Sequence, residues 1–586
     1  MKAIDRFPLG IYLIDFEFHP KAHKEGNAPH PVCLVVREYI TGRVWRFWLE
    51  DLQSMKEAPF PCGAGALVVA YFASAEIDCF LALGWPLPVN LLDLYVEFRC
   101  RTNGQATPYG ASLIGALAHL GFPTMEPADK AQMRALVLGG GPWDACQRQA
   151  ILNYCQSDVD ALRPLFRFMY SQIDWDRALL RGRYIKAVAL MQATGVPIDT
   201  AVLQDCIMFW ADIKAELIAA IDSNYHVFEG QSFKSNLWAA FLERNNIPWP
   251  RLASGALALD DDTFRQQARA FPMVAPIREL RAALAEMRLA GLTVGDDGRN
   301  RCLLSPFASR TGRNQPSNTK FIFGPSVWMR GLIKPVEGFG LAYIDYSQQE
   351  FGIAAALSGD LAMQDAYRSG DPYLSFAKQA GAVPANATKS THKAEREQFK
   401  ACALAVQYGM GPEALAQRIG QPTVRGQQLL ELHRRTYPQF WKWSDAAVDE
   451  AELNGRLWTV YGWEIRPSYP SNPRSLRNFP MQGNGAEMLR LACIYLTDAG
   501  IRVCAPVHDA LLIEAPLATL DTAVADAQKL MAKASSDVLG GFELRSDAKI
   551  VRYPDRFMDE RGELMWGKVM DLIARAKGKP QAGCQG

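Results

Sequence analysis

Apolar and polar positions over the first fifty residues follow the short-period pattern of half-buried strands. Residues 9 to 17 (LGIYLIDFE) are an apolar run that ends in acids, and Pro31 to Glu38 and Val44 to Leu49 carry two further runs. From about Ala111 to Ser171 the apolar spacing becomes helical, which predicts an α/β domain over roughly the first 170 residues. Helical patterns continue from about Asp176 to Arg299, broken at Gly195-Val196-Pro197, Asn245 to Pro250 and Gly295 to Gly298. Strand-like runs return at Gly340 to Asp345 and Ile501 to Ala515, separated by a long helical region. The most apolar stretch, Gly65 to Gly84, is interrupted by Glu76 and Asp78, which argues against a membrane span.

Composition narrows the picture. A chain of 586 residues divides into two to four domains, which excludes a single small binding module. With 49% hydrophobic and 21% charged residues it is expected to fold throughout. Lys plus Arg is 63 against 62 for Asp plus Glu, so a nucleic-acid partner must be held by local patches rather than a basic coat. One such patch runs from Arg299 to Arg313, where Arg299, Arg301, Arg310 and Arg313 stand without an acid. The 12 cysteines show no Cys-x-x-Cys pair, and Met1 to Arg6 lack the apolar core of a secretory signal, so reduced thiols and a cytoplasmic location are expected.

Two constellations carry chemistry. Asp15 and Glu17 lie two apart at a strand end and share one face, so their carboxylates can converge on a divalent cation. Tyr154 and Asp158 lie one turn apart on a predicted helix. Asp-x-Glu on a strand with Tyr-x-x-x-Asp on a helix resembles the first and third motifs of the DEDD-type 3′→5′ exonucleases. The resemblance implies an RNase H-like domain in which four carboxylates hold two Mg²⁺ or Mn²⁺ ions and the tyrosine orients the attacking water. The middle motif departs from the family, with Phe72 where an Asn is usual. Spacing to Gly84 and Asp93 selects Glu76 as the third carboxylate, with Asp78 as the alternative.

The second constellation begins at FGLAYIDYSQQE, residues 339 to 350, an apolar strand that delivers Asp345 to its end. Downstream, two short strands flank His508-Asp509, so a hairpin tip can set Asp509 opposite Asp345 and the pair can hold two cations. Between them, Ala394 to Gly409 has helix-forming composition. Arg396, Lys400, Leu404 and Tyr408 recur every four residues along one stripe, cationic at one end and aromatic at the other. Such a stripe suits a nucleoside triphosphate, although Glu395 and Glu397 can also pair with it locally.

These segments closely resemble the three motifs of the family A DNA polymerases, and Thr311-Gly312-Arg313 and Arg474 to Gly483 match as well. The fold implied is α/β and α+β multidomain: an RNase H-like exonuclease domain over 1–175, then a right-hand polymerase. Its thumb would span 178–295, its palm 296–360 and 455–586, and its fingers 361–454. The resemblance implies Asp345 and Asp509 as ligands of two Mg²⁺ ions and Lys400 as proton donor to pyrophosphate. Gln348, Glu350, Arg396, Lys400, Leu404 and Tyr408 would surround the incoming nucleotide, with Glu350 excluding a ribose 2′-hydroxyl. Arg313, Arg474, Asn478, Gln482 and His508 would contact primer and template.

Three further departures stand out. Ala510 follows Asp509 where the family has Glu, Leu404 replaces an aromatic residue, and Tyr373 stands where a His meets the phosphates. With the chain starting at the exonuclease motifs and leaving no room for a 5′-nuclease, the pattern looks like a phage or mobile-element replicase. The expected partners are primer-template DNA, dNTPs and a processivity factor or helicase/primase; a monomer and no membrane association are expected.

Overall fold

A computed structural model of the chain describes residues 6–20, 28–123, 127–252, 254–286, 291–324, 326–468 and 471–578. The first apolar run becomes β1 (Gly10–Pro20), followed by β2 (Pro29–Glu38), β3 (Val44–Trp48), β4 (Ala66–Ala70) and β5 (Leu91–Asp93). They form one sheet in the order β3-β2-β1-β4-β5. β1 runs antiparallel to β2 and parallel to β4.

Side-chain alternation along β1 sets what each face does. Ile11 and Leu13 enter a buried core with Ile151, Val159 and Leu162, while Tyr12 and Phe16 stack against Phe60 and Phe80 on the other side. Asp15 and Glu17 share the parity of Ile11 and Leu13, so they emerge where that core layer reaches solvent. The apolar stretch at 65–84 resolves into β4 and the short helix α1 (Ser74–Ala82). No helix among the described residues is long and apolar enough to cross a membrane.

Three more helices complete this region: α2 (Pro127–Leu138), α3 (Ala145–Met169) and α4 (Trp175–Thr194). α3 begins at a capping box, in which Asp144 accepts from Gln147 N at 2.8 Å and Gln147 Oε1 accepts from Asp144 N at 2.9 Å. It packs across β1 and β2.

The second sheet combines segments far apart in sequence. It has the order β7-β8-β6-β9, built from β6 (Phe339–Tyr346), β7 (Arg502–Val507), β8 (Ala510–Pro516) and β9 (Ser546–Arg552). β6 leads into α5 (Gln349–Ser358); then come α6 (Pro372–Gln379), α7 (Lys393–Gln407) and α8 (Pro473–Asp498), with α9 (Leu520–Val538) after the hairpin. α8 is buried along most of its length between Leu476 and Leu496.

By contacts the chain divides into residues 1–194, 304–315 and 341–550 on one side and 195–303, 316–340 and 551–586 on the other. The first sheet, and all of the second except the first two residues of β6 and the last two of β9, belong to the first unit. The boundary expected at 175–178 falls inside α4, because that helix packs on α1, β5, α8 and β7 as one piece. The second unit is helical and has an aromatic core of its own in which Trp238 stacks on Phe241 at 5.2 Å.

The arginine patch expected from 299 to 313 is only half realised. Arg299 is 8% exposed, and Arg301 is held by both oxygens of Asp297, at 2.8 and 2.6 Å, just upstream of the acid-free window. Arg310 and Arg313 remain at the surface of the first unit.

Candidate active sites

The N-terminal site is built from β1, α1 and α3. Asp15, Glu17 and Asp158 present oxygens that all lie within 4.8 Å of one another. Cys155, next to Tyr154 on α3, donates its thiol to Asp15 O at 3.1 Å and fixes the helix against the strand. Glu76, 3% exposed, accepts from Phe16 N at 2.8 Å, and its charge acts on Asp15. Asp78 is turned toward α4, where Gln192 donates to it at 3.3 Å. The structure thus brings Glu76, and not Asp78, to the other acids.

Crowded, buried carboxylates resist ionisation. Glu17 is pushed up to about 9, chiefly by burial and then by Cys33, Asp158 and Glu76. Asp15 is driven well above the usual range by burial, then by Asp158 and Glu17, and burial and Asp15 do the same to Glu76. The buried Tyr154 hydroxyl is also held neutral, by burial and then by Asp158. Asp15 Oδ2 is enclosed and meets no hydrogen-bond donor among the described residues. An acceptor in that state suits a cation, so these residues fit a divalent metal.

One participant has no counterpart in the sequence reading. Lys130, from the first turn of α2, places Nζ 2.7 Å from Asp158 Oδ2 and 5.6 Å from the centre of the Tyr154 ring. Nothing in the spacing of α2 ties it to acids on the following helix, 28 positions on at Asp158, so only the fold reveals the contact. Phe72 takes a positive φ of 65°, and its N–H donates to Asp93 Oδ1 at 2.9 Å. Its ring packs on Tyr95, so Phe72 forms the turn into α1.

The second site lies at the ends of β8 and β6, the two central strands of the β7-β8-β6-β9 sheet. Val507 pairs with Ala510, leaving His508 and Asp509 as a two-residue tip in which His508 has φ 59°. Asp509 O accepts from Tyr346 N at 3.4 Å, tying the tip to the end of β6. Asp345 and Asp509 are therefore neighbours across adjacent strands. The Asp345 carboxyl is raised to about 7, first by burial, then by Asp509, then by Asp547. Asp345 Oδ1 is buried without a hydrogen-bond partner among the described residues, the same cation-ready state as Asp15 Oδ2.

Asp547 was not singled out from sequence. It sits on β9 beside β6, and its Oδ2 accepts from Ser347 Oγ at 2.5 Å. A third acid therefore stands near Asp345 on a strand other than the one carrying Ala510.

A cleft of about 440 Å³ opens beside Asp509, lined by Arg313, Gln348, Glu350, Tyr373, Leu404, Tyr408 and His508 among others. Gln348 has φ 50° at the start of α5. Phe72, Gln348 and His508 are thus three of the seven non-glycine residues with positive φ among the described residues, each on a turn beside a candidate site residue. Glu350 is raised by burial, opposed by Arg313, Tyr408 and Gln482; Arg313 Nη2 lies 3.9 Å from Glu350 Oε1. Asn478 Oδ1 is buried without a partner among the described residues. Gly409, with φ 62°, ends the turn after α7 so closely that a Cβ there would meet Arg474 Cγ at 3.0 Å.

α7 delivers its stripe as the spacing predicted, with Tyr408 as the residue after its last turn. Arg396 is bound by Asp371 at 2.5 Å and by Glu397 at 2.7 Å. The pairing with Glu397 was open from sequence; the stronger tie to Asp371 was not. Arg396 and Lys400 both face Tyr373, at 5.6 and 6.0 Å from its ring centre. Burial raises the Tyr373 hydroxyl to about 12, against the pull of Arg396.

Residues 324–549, which contain this entire second site except Arg313, match the sequence pattern described as DNA polymerase family A. Those residues are a DNA polymerase family A region. It is 25% identical over 538 residues to the thermostable DNA polymerase I of Thermus aquaticus, covering 80% of this chain and 61% of that one. It is 26% identical over 483 residues to DNA polymerase I of Deinococcus radiodurans, covering 73% and 48%. A DNA polymerase of Mycobacterium phage D29 is 28% identical over 255 residues, 42% of this chain and 41% of that one. The matched part of this chain spans about 61% of the first of these relatives and less of the others. Its fold is that of the polymerase domain of Pol1 from M. smegmatis, solved with DNA primer-template and dNTP. The TM-score is 0.73 at 20% identity, covering 93% of this chain and 96% of that one.

Proposed function

We propose that this chain is a DNA-templated DNA polymerase that adds dNTPs to a primer 3′ end, with the N-terminal site acting as a 3′→5′ proofreading exonuclease. The observation that carries the reading is the meeting of Asp345 and Asp509 at the ends of two central strands beside the 440 Å³ cleft, inside the family-matched segment. Two Mg²⁺ ions at the polymerase site, and two Mg²⁺ or Mn²⁺ ions at the exonuclease site, would activate the attacking oxygen and stabilise the leaving one.

Asp345 and Asp509 hold the cations of the polymerase site. Lys400 gives its proton to pyrophosphate, and Arg396 trades one of its carboxylates for a phosphate oxygen. The Tyr373 hydroxyl, neutral across the physiological range, donates a hydrogen bond to the triphosphate instead of a charge. Glu350, braced by Arg313, Tyr408 and Gln482, closes the space a ribose 2′-hydroxyl would need, while Gln348, Leu404 and Tyr408 border the sugar and base. Arg474, Asn478, Gln482, His508 and Arg313 position primer and template. At the exonuclease site Asp15, Glu17, Glu76 and Asp158 hold the cations and Tyr154 orients water.

In domain terms 1–175 is the RNase H-like exonuclease, 178–295 the thumb, 296–360 and 455–586 the palm and 361–454 the fingers. The protein works as a monomer on primer-template DNA in a bacterial or phage-infected cytoplasm, with a processivity factor or helicase/primase as its further partner.

Primer extension on a defined template with Mg²⁺ and the four dNTPs tests the reading. Extension is expected from the native chain and not from Asp345→Asn or Asp509→Asn, and single-stranded DNA degradation is expected to be lost in Asp15→Asn. Extension that persists in either palm variant overturns the polymerase assignment, and degradation that persists in Asp15→Asn overturns the exonuclease one.

A further inference from the structure

We propose that the Lys130 ammonium is a resident cation of the N-terminal carboxylate cluster and competes with one divalent ion for Asp158. The inference rests on the exonuclease reading for the purpose of the site, but its geometry stands apart from the four acids and the tyrosine that define that reading.

Lys130 reaches the cluster from outside the layers that build it. Asp15 and Glu17 come from β1 and Asp158 from α3, whereas Lys130 comes from α2, which lies against both. Its Nζ is 2.7 Å from Asp158 Oδ2, direct ion-pair contact. Its charge also reaches Asp15 and Glu17, where it opposes the burial and mutual repulsion that raise them. The Tyr154 ring, 5.6 Å from Nζ, offers its face to the same ammonium.

An ammonium and a divalent cation cannot both use Asp158 Oδ2 without strong repulsion, since Mg²⁺ needs its oxygens at about 2.0–2.1 Å. Lys130 therefore has to give way when that oxygen takes a metal. It is able to do so: its side chain is 29% exposed and ends a flexible four-carbon stem, whereas Asp158 is 16% exposed and anchored on a packed helix. With the metal gone, the lysine neutralises one of four crowded acids and keeps Asp158 in place. The site then binds divalent ions more weakly than its acids alone would, and metal entry is coupled to displacement of a side chain.

The experiment measures Mn²⁺ binding to the full chain by titration calorimetry, in an Asp509→Asn background that weakens the competing polymerase site. Asp158→Asn identifies which binding event belongs to the N-terminal cluster. Lys130→Met and Lys130→Gln, which remove the charge by two different routes, are each expected to tighten that event about fivefold, the scale of one lost, partly exposed ion-pair competitor. Lys130→Arg, which keeps a cation there, should leave it within about twofold of the parent. Unchanged or weaker Mn²⁺ binding in both neutral variants overturns the competition. Degradation of single-stranded DNA by Asp15→Asn is scored separately, so a failed exonuclease reading and a failed competition give different results.

Discussion

Replacing Asp509 with asparagine should stabilise the metal-free chain while disabling extension. Asp345 sits at about 7 instead of 3.8, a shift of roughly 3 units that corresponds to ~4 kcal/mol for forcing it to ionise at pH 8. Burial is the larger cause and Asp509 the next. Two charges about 4 Å apart interact by ~4 kcal/mol at an effective dielectric of about 20, and the open cleft beside them reduces this to roughly 1–2 kcal/mol. The sign follows from the direction of the shift. A carboxyl raised in the folded state favours folding fully below about pH 4, and that contribution is lost as pH rises to about 7. Asp509→Asn lowers the folded pKa of Asp345, so its advantage over the native chain should be absent at pH 4, grow through this window and level off above 7. For a unit of this size, ~1–2 kcal/mol is a rise of about 2 °C in melting temperature. Melting in EDTA at several pH values measures it, and primer extension by the same variant in Mg²⁺ should fall by ~10³-fold or more, about 4 kcal/mol. Equal melting temperatures at pH 8 would refute the electrostatic account of the pair.

Glu97 and Arg181 form a buried bidentate pair at 2.7 and 2.7 Å. Arg181→Met should cost ~3–5 kcal/mol in urea denaturation by stranding Glu97, and the added Glu97→Leu change should recover much of it. Because Glu17 holds its proton up to about 9, Mn²⁺ must displace it. The Mn²⁺ concentration for half-maximal degradation of single-stranded DNA should fall about tenfold per pH unit per proton between pH 6 and 9, and a flat profile contradicts the coupling. Glu350→Ala opens the cleft beside Tyr408 and should raise ribonucleotide incorporation by tenfold or more, about 1.4 kcal/mol, read as the rNTP-to-dNTP ratio of kcat/KM.

What was legible in the sequence was local. β1, the 339–346 strand, the 502–516 hairpin and the α7 stripe all follow from short-range periodicity, and the acids they carry fall where strand ends place them. Spacing to Gly84 and Asp93 selected Glu76 over Asp78, and the packing of α1 gives the reason: two positions apart on a helix they point in different directions, Glu76 to β1 and Asp78 to α4. Lys130 and Asp547 were invisible for a related reason. Each comes from an element with no motif of its own, α2 or β9, and matters because the fold lays it beside a motif residue. Arg301 dropped out of the arginine patch because the acid-free window stopped two residues short of Asp297, whose side chain folds back onto it. The ties that fix Arg396 likewise include Asp371, on a different helix, which no helical repeat connects to it.

The strand order of the two sheets has a consequence for how the chain is made. The first sheet draws only on residues up to Asp93, and its acidic cluster is complete once Asp158 has been synthesised. The second cannot close until β8 arrives to sit between β6 and β7, and Asp509 lies 351 positions after Asp158. At about 5–20 residues per second, a ribosome spends roughly 20–70 s between those two events. During that interval the nascent chain carries a finished nuclease-type cluster while Asp345 waits on a strand without its neighbour. On the proposed exonuclease reading, a message truncated between them would yield a product with the nuclease-type cluster but without the Asp345–Asp509 pair. A lysine seated among the acids would hold down the activity of such an incomplete product.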